Sequence, residues 1–279
     1  MSDRLRLTTA NLLHGVAPRS GAPDADALRA AYGLVDADVL ALQEVDRHQP
    51  RSGGVDQAGL AADVLGAADV RFVATVRGTP GRRKDWSPLP VPAVPLPVAP
   101  VGPEYGVALV SRLPVLRWAS IGLPGAPLGL PLVVPGPKGR PVVVPVADEP
   151  RAALAAVVET AAGPLSVITA HLSFVPGWNA WQLRRVVAWA RAELPGPRVL
   201  LGDLNLPTSL AAAASGWQRL TREASWPAAA PRVSLDGVLG DRVGAGGWRV
   251  ASSCSHALPV GDHAALSVEL VRALPPSHG

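Results

Sequence analysis

The sequence has almost no sulfur and few aromatic rings besides tryptophan. Cys254 is its single cysteine, which excludes a disulfide within the chain and favours a reducing compartment. No apolar run approaches the length that spans a membrane, and the N-terminal segment lacks the apolar core of a secretory signal. We therefore expect a cytoplasmic protein without a membrane span.

The sequence also lacks an internal repeat and a strong excess of either charge. No segment recurs at a fixed period, so a solenoid is excluded. The chain has 279 residues, of which 48% are hydrophobic, enough for a buried core although only two Phe and two Tyr are present. The net charge of +4 favours an anionic partner without proving one. We expect one domain over residues 1–279 and a monomer.

Hydrophobic periodicity predicts alternating strands and helices. A strand is predicted to end near Asn11, and "DVLALQEV" predicts a strand buried on both faces that ends on Glu44. Helices are predicted after Asp24, from Asp56 to Gly66 and over "WNAWQLRRVVAWARAEL". Further strands are predicted over "RFVATV", "YGVALVSR", "RPVVVPVADE", "GPLSVITAHL", "RVLLGDLN", "SLDGVLG", "GWRVASS" and "HAALSVELV". The segment "RAALAAVVETA" fits a helix by composition and a strand by alternation.

A proline-rich stretch interrupts this pattern from about residue 78 to residue 103. Each proline removes an amide donor and fixes φ, so neither a helix nor a central strand is expected there. The stretch fits an interdomain linker or a loop inserted into one domain. We favour the loop, because the strand-like "YGVALVSR" follows at Tyr105 and the later segments would not form a domain alone.

Polar side chains occur at or beside the ends of the predicted strands. If the strands lie side by side, their ends meet at one edge, where sheet proteins build their sites. Carboxylates, imidazoles and amides gathered in this way indicate a metal-assisted hydrolytic centre. The residues are Asn11, Glu44, His171, Asp203, Asn205, Asp236, Asp262 and His263.

Phosphoester hydrolysis needs these types of group. A phosphodiester is anionic and repels hydroxide, so a divalent cation must neutralise its oxygens, and Glu44 and Asp262 are our candidates to anchor Mg²⁺ or Mn²⁺. Asp203, with Asn205 two residues later on an extended segment, would align and deprotonate the attacking water. His263, paired with Asp236, would donate to the phosphoryl oxygens.

Other side chains near these motifs are candidates for substrate contact. Arg47 and Arg51 follow the strand of Glu44 and could bind phosphate, or could be solvated loop residues. Trp178 lies close enough to His171 in sequence to flank a ligand. The basic and aromatic segment "GRRKDW" fits a nucleic-acid grip less well than an exposed loop tip. The remaining histidines near the motifs are interpreted as structural or rim residues, namely His14, His48 and His256.

Seven motifs in order resemble one known superfamily. They are "TANLLHG", "LALQEVD", "YGVALVSRLP", "TAHL", "LGDLN", "SLDGVL" and "GDHAAL". Together they resemble the endonuclease/exonuclease/phosphatase superfamily over nearly the whole chain. The resemblance implies an α/β (α+β) fold, a four-layer sandwich of two mostly antiparallel β-sheets packed face to face and flanked by helices.

The resemblance also implies residue roles. It implies a strand over "RAALAAVVETA", Asn11, Glu44 and Asp262 on the metal side, and His171 as a phosphate contact. It further implies that Asp203 is the water-orienting base, that Asn205 assists it, and that Asp236 is the partner of His263. Two positions depart from the usual pattern, since Gly261 replaces a frequent serine and Gly237 a frequent aromatic residue.

The sequence therefore predicts a Mg²⁺- or Mn²⁺-dependent phosphoester hydrolase. A phosphodiesterase or nuclease acting on DNA or RNA is the first candidate, because of the positive net charge. A phosphatase or phosphodiesterase that acts on small molecules or lipid headgroups fits the same fold, because the loops around a shared catalytic site determine the substrate specificity. The rival from another class is a catalytically silent module that binds nucleic acid.

Overall fold

The computed structural model describes residues 3–95, 102–135 and 141–273, with the backbone alone for residues 131–135 and 141–145. Its strands, in chain order, are β1 (Arg4–Asn11), β2 (Val16–Ala17), β3 (Ala22–Pro23), β4 (Val39–Arg47), β5 (Asp69–Gly78), β6 (Trp86–Pro88), β7 (Glu104–Ser111), β8 (Val115–Leu123), β9 (Leu130–Pro135), β10 (Pro141–Val146), β11 (Arg151–Thr160), β12 (Gly163–His171), β13 (Arg198–Asp203), β14 (Gln218–Arg219), β15 (Asp236–Asp241), β16 (Trp248–His256) and β17 (Ala265–Arg272). The helices are α1 (Ala25–Leu34), α2 (Gln57–Leu65), α3 (Trp178–Glu193) and α4 (Thr208–Ser215).

Two large sheets organise the described residues. The first has the spatial order β16-β17-β1-β4-β7-β5-β6, and the second β14-β15-β13-β12-β11-β8. Each sheet contains one parallel pair, β1 with β4 and β12 with β13, whereas every other pairing within it is antiparallel. The prediction of two mostly antiparallel sheets is therefore confirmed.

Three hydrophobic layers hold the four structural layers together. The central core lies between the sheets and joins side chains such as Leu109 and Leu154. A second core packs α1 and α2 on the outer face of the first sheet, with Tyr32 fully buried there. A third packs α3 and α4 on the outer face of the second sheet around residues such as Val186. The molecule is thus the helix–sheet–sheet–helix sandwich that the sequence predicts.

The first two helices begin where their sequences indicate, and the second also ends there. The Asp24 carboxylate caps α1 by accepting hydrogen bonds from two backbone amides of its first turn. Asp56 caps α2 by accepting from the backbone N–H of Gly59, and Gly66 ends that helix in the left-handed conformation. Local residue chemistry therefore decides these helix bounds.

The ambiguous segment is a strand, β11, in spite of its alanine content. Its even-numbered residues, such as Leu154 and Ala156, face the central core, and its odd-numbered residues, such as Ala155, face the helices. It pairs with β8 on one side and β12 on the other. A strand inside a sheet that is covered on both faces needs small apolar side chains, so tertiary packing overrides helix propensity here.

The proline-rich excursion runs from the edge of the first sheet to the edge of the second, where the Ala93 carbonyl accepts from the Ser120 backbone N–H of β8 at 2.8 Å. Its only strand among the described residues is the three-residue β6, which pairs with β5 alone. Residues 96–101 of this stretch lie outside the described residues. The sequence patterns did not single out β8, β9 or α4. Among the helices that the structure describes, none is long and apolar enough to cross a membrane.

Candidate active site

The two parallel strand pairs carry the central site residues at their carboxyl ends. Asn11 ends β1, while His171 and Asp203 end β12 and β13, where the two residues are register partners. Asn11 Nδ2 donates to Asp203 Oδ2 at 3.0 Å, a hydrogen bond that joins the two sheets. The predicted convergence of polar strand ends is therefore found at the place where both parallel pairs end.

Glu44 reaches this point through a bulge and not through a strand end. β4 continues to Arg47, and its register with β7 shifts between Leu42 and Val45. Glu44 has φ 55° within this bulge. A bulge changes the direction of one side chain relative to the alternating pattern of the strand. Here it brings the Glu44 carboxylate beside Asn11, and Asn11 Nδ2 donates to Glu44 Oε1 at 3.1 Å. The expectation that the strand stops at Glu44 was wrong.

Asp203 is held by two donors from different elements. Its Oδ2 accepts from Asn11, and its Oδ1 accepts from the backbone N–H of Asn205 at 2.9 Å. The side-chain amide of Asn205 donates instead to the Leu172 carbonyl at 3.0 Å, and Asn205 has φ 47°. The expected extended segment with a side-chain helper is therefore wrong, because the chain turns at Asn205 and assists Asp203 through its backbone.

His263 and Asp236 form the pair expected from the sequence. The Nδ1 atom of His263 lies 2.6 Å from Asp236 Oδ2, and both side chains are buried. Burial lowers the pKa of His263, but the hydrogen bond and charge of Asp236 outweigh it and raise that pKa to about 10. The imidazole is consequently a cation that can donate from Nε2, which lies 3.9 Å from Asp262 Oδ1.

His171 has the opposite character. Burial, the Arg151 guanidinium and His263 lower its pKa well below the ordinary value, so it is neutral. Arg151 Nη1 lies 2.9 Å from each ring nitrogen of His171, and His171 Nε2 lies 3.7 Å from Asp203 Oδ2. The site thus combines one neutral and one charged imidazole.

The carboxylates of the site carry crowded negative charge. Burial and the charge of Asp236 raise the pKa of Asp203 to about 7, against the favourable effects of His263 and its two hydrogen-bond donors. Burial raises the pKa of Glu44, an effect that the hydrogen bond from Asn11 opposes and the charge of Asp262 increases. Such raised values mean that the folded chain alone does not compensate these charges, and a bound cation would do so.

These residues surround a cavity of about 310 Å³. Four acidic and five basic residues are among those that line it. The acidic members are Glu44, Glu149, Asp203 and Asp262, and the basic ones Arg51, Arg151 and the histidines His14, His171 and His263. Asn11 and Asp236 lie behind this wall and orient Asp203, Glu44 and His263.

Backbone strain is concentrated at the same cavity. Six described non-glycine residues have positive φ, and four of them line the cavity, namely Leu13, His14, Glu44 and Asn205. A left-handed conformation is unfavourable for residues with a Cβ atom and persists only where the surrounding structure imposes it. The strain therefore favours the cavity as the candidate functional site, independently of its charges.

The predicted substrate contacts do not all reach the cavity. Arg51 lines it, but Arg47 pairs with Glu104 and stacks over Phe72 at 4.6 Å from the ring centroid. Trp178 donates through Nε1 to the Pro124 carbonyl at 2.9 Å and packs against a neighbouring tryptophan. Neither Arg47 nor Trp178 is among the described residues that line the cavity.

Several cavity residues were missed by the sequence analysis. Arg151 is the first residue of β11 and is buried with ion pairs to Asp148 and Glu149 at 3.3 and 3.0 Å. Tyr105 and Phe174 line the cavity from β7 and from the loop before α3. The single signal for Arg151 was a charged residue at the start of the apolar run of residues 152–158, and the helix-or-strand ambiguity of the segment hid that signal.

Both departures from the superfamily pattern have a steric reason. Gly261 has φ 79°, and a Cβ atom there would lie 2.7 Å from the Asn11 carbonyl oxygen. A Cβ atom at Gly237 would lie 2.4 Å from Thr208 Cγ2. The methyl group of Thr208 therefore occupies the space in which a larger side chain would begin.

Two groups of residues could hold a cation. The ligand atoms of Asp203, Asp236 and His263 all lie within 4.8 Å of one another. The hydrogen bonds described above, however, already engage these side chains with one another or with Asn11 and Asn205. Glu44 and the exposed Asp262 are freer, since Glu44 Oε2 accepts no hydrogen bond from any described residue.

The fold and this cluster define a class of protein, the two-sheet sandwich with an acid, amide and imidazole site at the strand ends. The sequence matches the model of the Endonuclease/Exonuclease/phosphatase family over residues 8–275. The chain belongs to this family. Among curated proteins, none is significantly similar to it in sequence.

Solved structures share the fold at low sequence identity. An endonuclease/exonuclease/phosphatase from Bacteroides vulgatus is 14% identical with a TM-score of 0.63, the match covering 96% of this chain and 99% of the other. The catalytic domain of human Nocturnin with a bound sulfate anion is 15% identical with a TM-score of 0.55, covering 97% and 94%. Sphingomyelinase C from Streptomyces griseocarneus is 16% identical with a TM-score of 0.52, covering 95% and 99%.

Proposed function

We propose that the protein is a Mg²⁺- or Mn²⁺-dependent hydrolase of phosphoesters, acting first of all on phosphodiesters. One observation carries the proposal: the Asn11 amide donates to both Glu44 and Asp203 and thereby fixes two carboxylates from different sheets side by side. Family membership supports the same reaction class. The exposed, unpaired Cys254 supports the cytoplasm as the expected location.

The donor chemistry fits a hard divalent cation. Glu44 and Asp262 would hold it, because their oxygens are the ones least engaged by the protein, and carboxylates suit Mg²⁺ and Mn²⁺. When bound, such a cation neutralises a phosphoryl oxygen and the leaving oxygen. Asn11 orients Glu44 for this task and also ties it to the base.

Asp203 is suited to position the attacking water. Asn11 and the backbone of Asn205 each engage one of its oxygens, so the carboxylate has a fixed plane at the cavity wall. Each oxygen retains a lone pair for a water proton. Asp203 would align the water for in-line attack and accept its proton.

The two imidazoles would stabilise the charge that develops on the phosphoryl group. His263, cationic beside Asp236, can donate from Nε2, and its partner fixes the ring orientation. His171 stays neutral next to Arg151 and can contact the phosphate without adding a further charge. Both histidines line the same cavity as Asp203.

Two substrate classes remain supported by different observations. The net positive charge and the sequence prediction favour a nucleic acid. The enclosure of the site in a cavity of about 310 Å³, which Pro80, Gly81 and Val146 also line, favours a small phosphoester. The Streptomyces neighbour of the same fold is a sphingomyelinase C, and Nocturnin binds a sulfate anion, so the fold alone does not fix the substrate.

The test is turnover of bis-p-nitrophenyl phosphate with Mg²⁺ or Mn²⁺ and after chelation. We expect metal-dependent turnover by the wild type and a loss of about a thousandfold or more in Asp203→Ala. Asp63→Ala is the matched control, because Asp63 is an exposed residue of α2. Circular dichroism and thermal unfolding would verify that both variants fold. A wild type that binds DNA but shows no metal-dependent turnover would instead indicate the silent binding module.

A further inference from the structure

The cavity holds three further polar groups for which the proposed reaction has no use. Arg51, His14 and Tyr105 line it, the Arg51 guanidinium lies against the Tyr105 ring, and the charge of Arg51 acts on His14. None of the three belongs to the set that holds the cation, positions the water or stabilises the phosphoryl oxygens. Their arrangement therefore calls for a separate explanation.

Arg51 is fixed by a buried carboxylate. Its Nε and Nη2 atoms donate to Asp46 at 2.8 and 2.7 Å, and Ser52 Oγ donates to Asp46 at 2.9 Å. Asp46 is fully buried, and its backbone N–H donates to the Gln57 side chain at 2.8 Å. Arg51 Nη1 donates to none of the described residues. The guanidinium is thus held in a fixed orientation, and its Nη1 remains able to donate to a ligand.

Tyr105 lies against the same guanidinium. The Arg51 Cζ atom lies 5.6 Å from the centroid of the Tyr105 ring, within the range of a cation–π contact. The ring is buried, and its hydroxyl makes no hydrogen bond with any described residue. Tyr105 therefore packs against Arg51, and its hydroxyl is a second donor that is able to bind a ligand.

His14 completes the group under backbone strain. It has φ 47° and follows Leu13, which has φ 43°, while its carbonyl accepts from Gln57 Nε2 at 2.8 Å. Its ring nitrogens have no hydrogen-bond partner among the described residues, and the Arg51 charge acts on the ring. Two consecutive left-handed residues are costly, so the surrounding structure imposes this position for the imidazole.

We propose that Arg51, His14 and Tyr105 form a second anion subsite, which binds a phosphate group carried by the substrate next to the phosphoester that is cleaved. The inference rests on the proposed function and names its substrate class. A tetrahedral phosphate has three free oxygens and accepts single hydrogen bonds from several directions. A carboxylate prefers the bidentate fork of an arginine, which Asp46 already occupies on Arg51. Hence the three separate donors match phosphate better.

The subsite and the reaction centre belong to one cavity. Glu44 lines the same space, and its charge is one of those that act on the Arg51 guanidinium. One substrate can therefore reach both places. Two sources carry the required chemistry, the phosphorylated end of a nucleotide chain and a phosphorylated inositol headgroup.

The test compares two pairs of phosphodiesters that differ only in the second phosphate. One pair is the dinucleotide dTpdT with and without a 5′-phosphate. The other is glycerophosphoinositol with and without a 4-phosphate. We expect the wild type to prefer the phosphorylated member of one pair by about tenfold or more in kcat/KM, because one charge-assisted hydrogen bond is worth about that factor. The preferred pair identifies the source.

The variants separate binding from folding. Arg51→Gln alone would leave the buried Asp46 carboxylate without its counterion, so this substitution is combined with Asp46→Asn. Tyr105→Phe removes one hydroxyl and leaves no buried charge without its counterion. We expect the first variant to reduce the preference to about twofold or less and the second to reduce it partly, mainly through KM. Arg117→Gln is the charge-matched control, because Arg117 is half-exposed and pairs with Glu193 away from the cavity.

The outcomes distinguish the two proposals. A wild type that hydrolyses bis-p-nitrophenyl phosphate but shows no preference within either pair overturns the subsite and leaves the hydrolase. The subsite is also overturned if the Arg51 variant lowers the kcat/KM of both members equally. No metal-dependent turnover of any compound overturns the proposed function itself. A preference that Arg117→Gln also abolishes indicates a general charge effect and rejects the assignment to Arg51.

Discussion

At the scale of single residues, the site depends on partners that orient each polar group. Asn11 donates hydrogen bonds to Glu44 and Asp203, and the backbone N–H of Asn205 donates to Asp203 as well. Asp236 forms a hydrogen bond with His263. The types of residue were predictable, because phosphoester chemistry requires them. Of their contacts, the sequence analysis anticipated the pair of Asp236 and His263. It did not anticipate the two hydrogen bonds of Asn11, because they join residues far apart in the chain.

His14 should make folding stability depend on pH. Burial and then the Arg51 charge lower its pKa from 6.5 to about 3. Below pH 6.5 the unfolded chain therefore binds a proton that the folded protein excludes, and stability falls as the pH decreases towards 3. For a partly exposed group this effect reaches at most about 2 kcal/mol at pH 5. We expect urea unfolding of the wild type to show this loss.

His14→Asn tests this expectation, since asparagine tolerates the left-handed conformation and does not titrate. The variant should lose less free energy of unfolding than the wild type between pH 7.5 and pH 5. Both proteins retain the same carboxylates, so the difference between them reports the histidine. Equal losses in the two proteins would show that His14 titrates normally in the folded state.

At the scale of elements, a strand end positions a catalytic group only if its backbone can approach its neighbour closely. Gly202 precedes Asp203 in β13 and pairs with Ala170 of the parallel strand β12. A Cβ atom at Gly202, where φ is 152°, would lie 1.9 Å from the Ala170 carbonyl oxygen. The glycine therefore brings β13 close to β12 and places Asp203 beside His171.

Gly202→Ala should consequently reduce both stability and activity. We expect a loss of about 3 kcal/mol or more in the free energy of unfolding, because backbone atoms would have to move. Gly33→Ala is the matched control: Gly33 lies within α1, a Cβ atom there meets nothing within 4 Å, and alanine favours a helix. Urea unfolding should show opposite signs for the two substitutions. Similar effects would contradict the packing argument.

At the scale of the whole molecule, a buried hydrogen-bonded link crosses between the sheets below the site. Gln43 of β4 accepts from Thr9 Oγ1 at 3.1 Å and donates to Thr169 Oγ1 of β12 at 2.9 Å. All three side chains are fully buried. The link fixes the position of one parallel pair relative to the other, and therefore of Asn11 relative to Asp203.

Gln43→Leu should destabilise the protein and misalign the site. Two buried hydroxyl groups would lose a partner, at a cost of about 2 to 4 kcal/mol, and turnover should decrease under conditions where the variant is still folded. Ser166→Ala is the control, because Ser166 is buried near the other end of β12 and donates to the Pro195 carbonyl at 2.7 Å. It should lower stability without lowering turnover. A fully active Gln43→Leu protein would show that the link does not position the site.

The sequence by itself determined the helix caps, most strands and the identities of the polar residues, because capping, periodicity and catalytic motifs are local in the chain. Asp24, Asp56 and the residues around Asp203 illustrate this. Only the tertiary structure decided that Glu44 lies in a bulge and that Arg151 belongs to the cavity. For β11 the local pattern left helix and strand open, the superfamily resemblance implied a strand, and the pairing with β8 and β12 confirms it. These features follow from packing between distant segments, whose energies no short stretch of sequence contains.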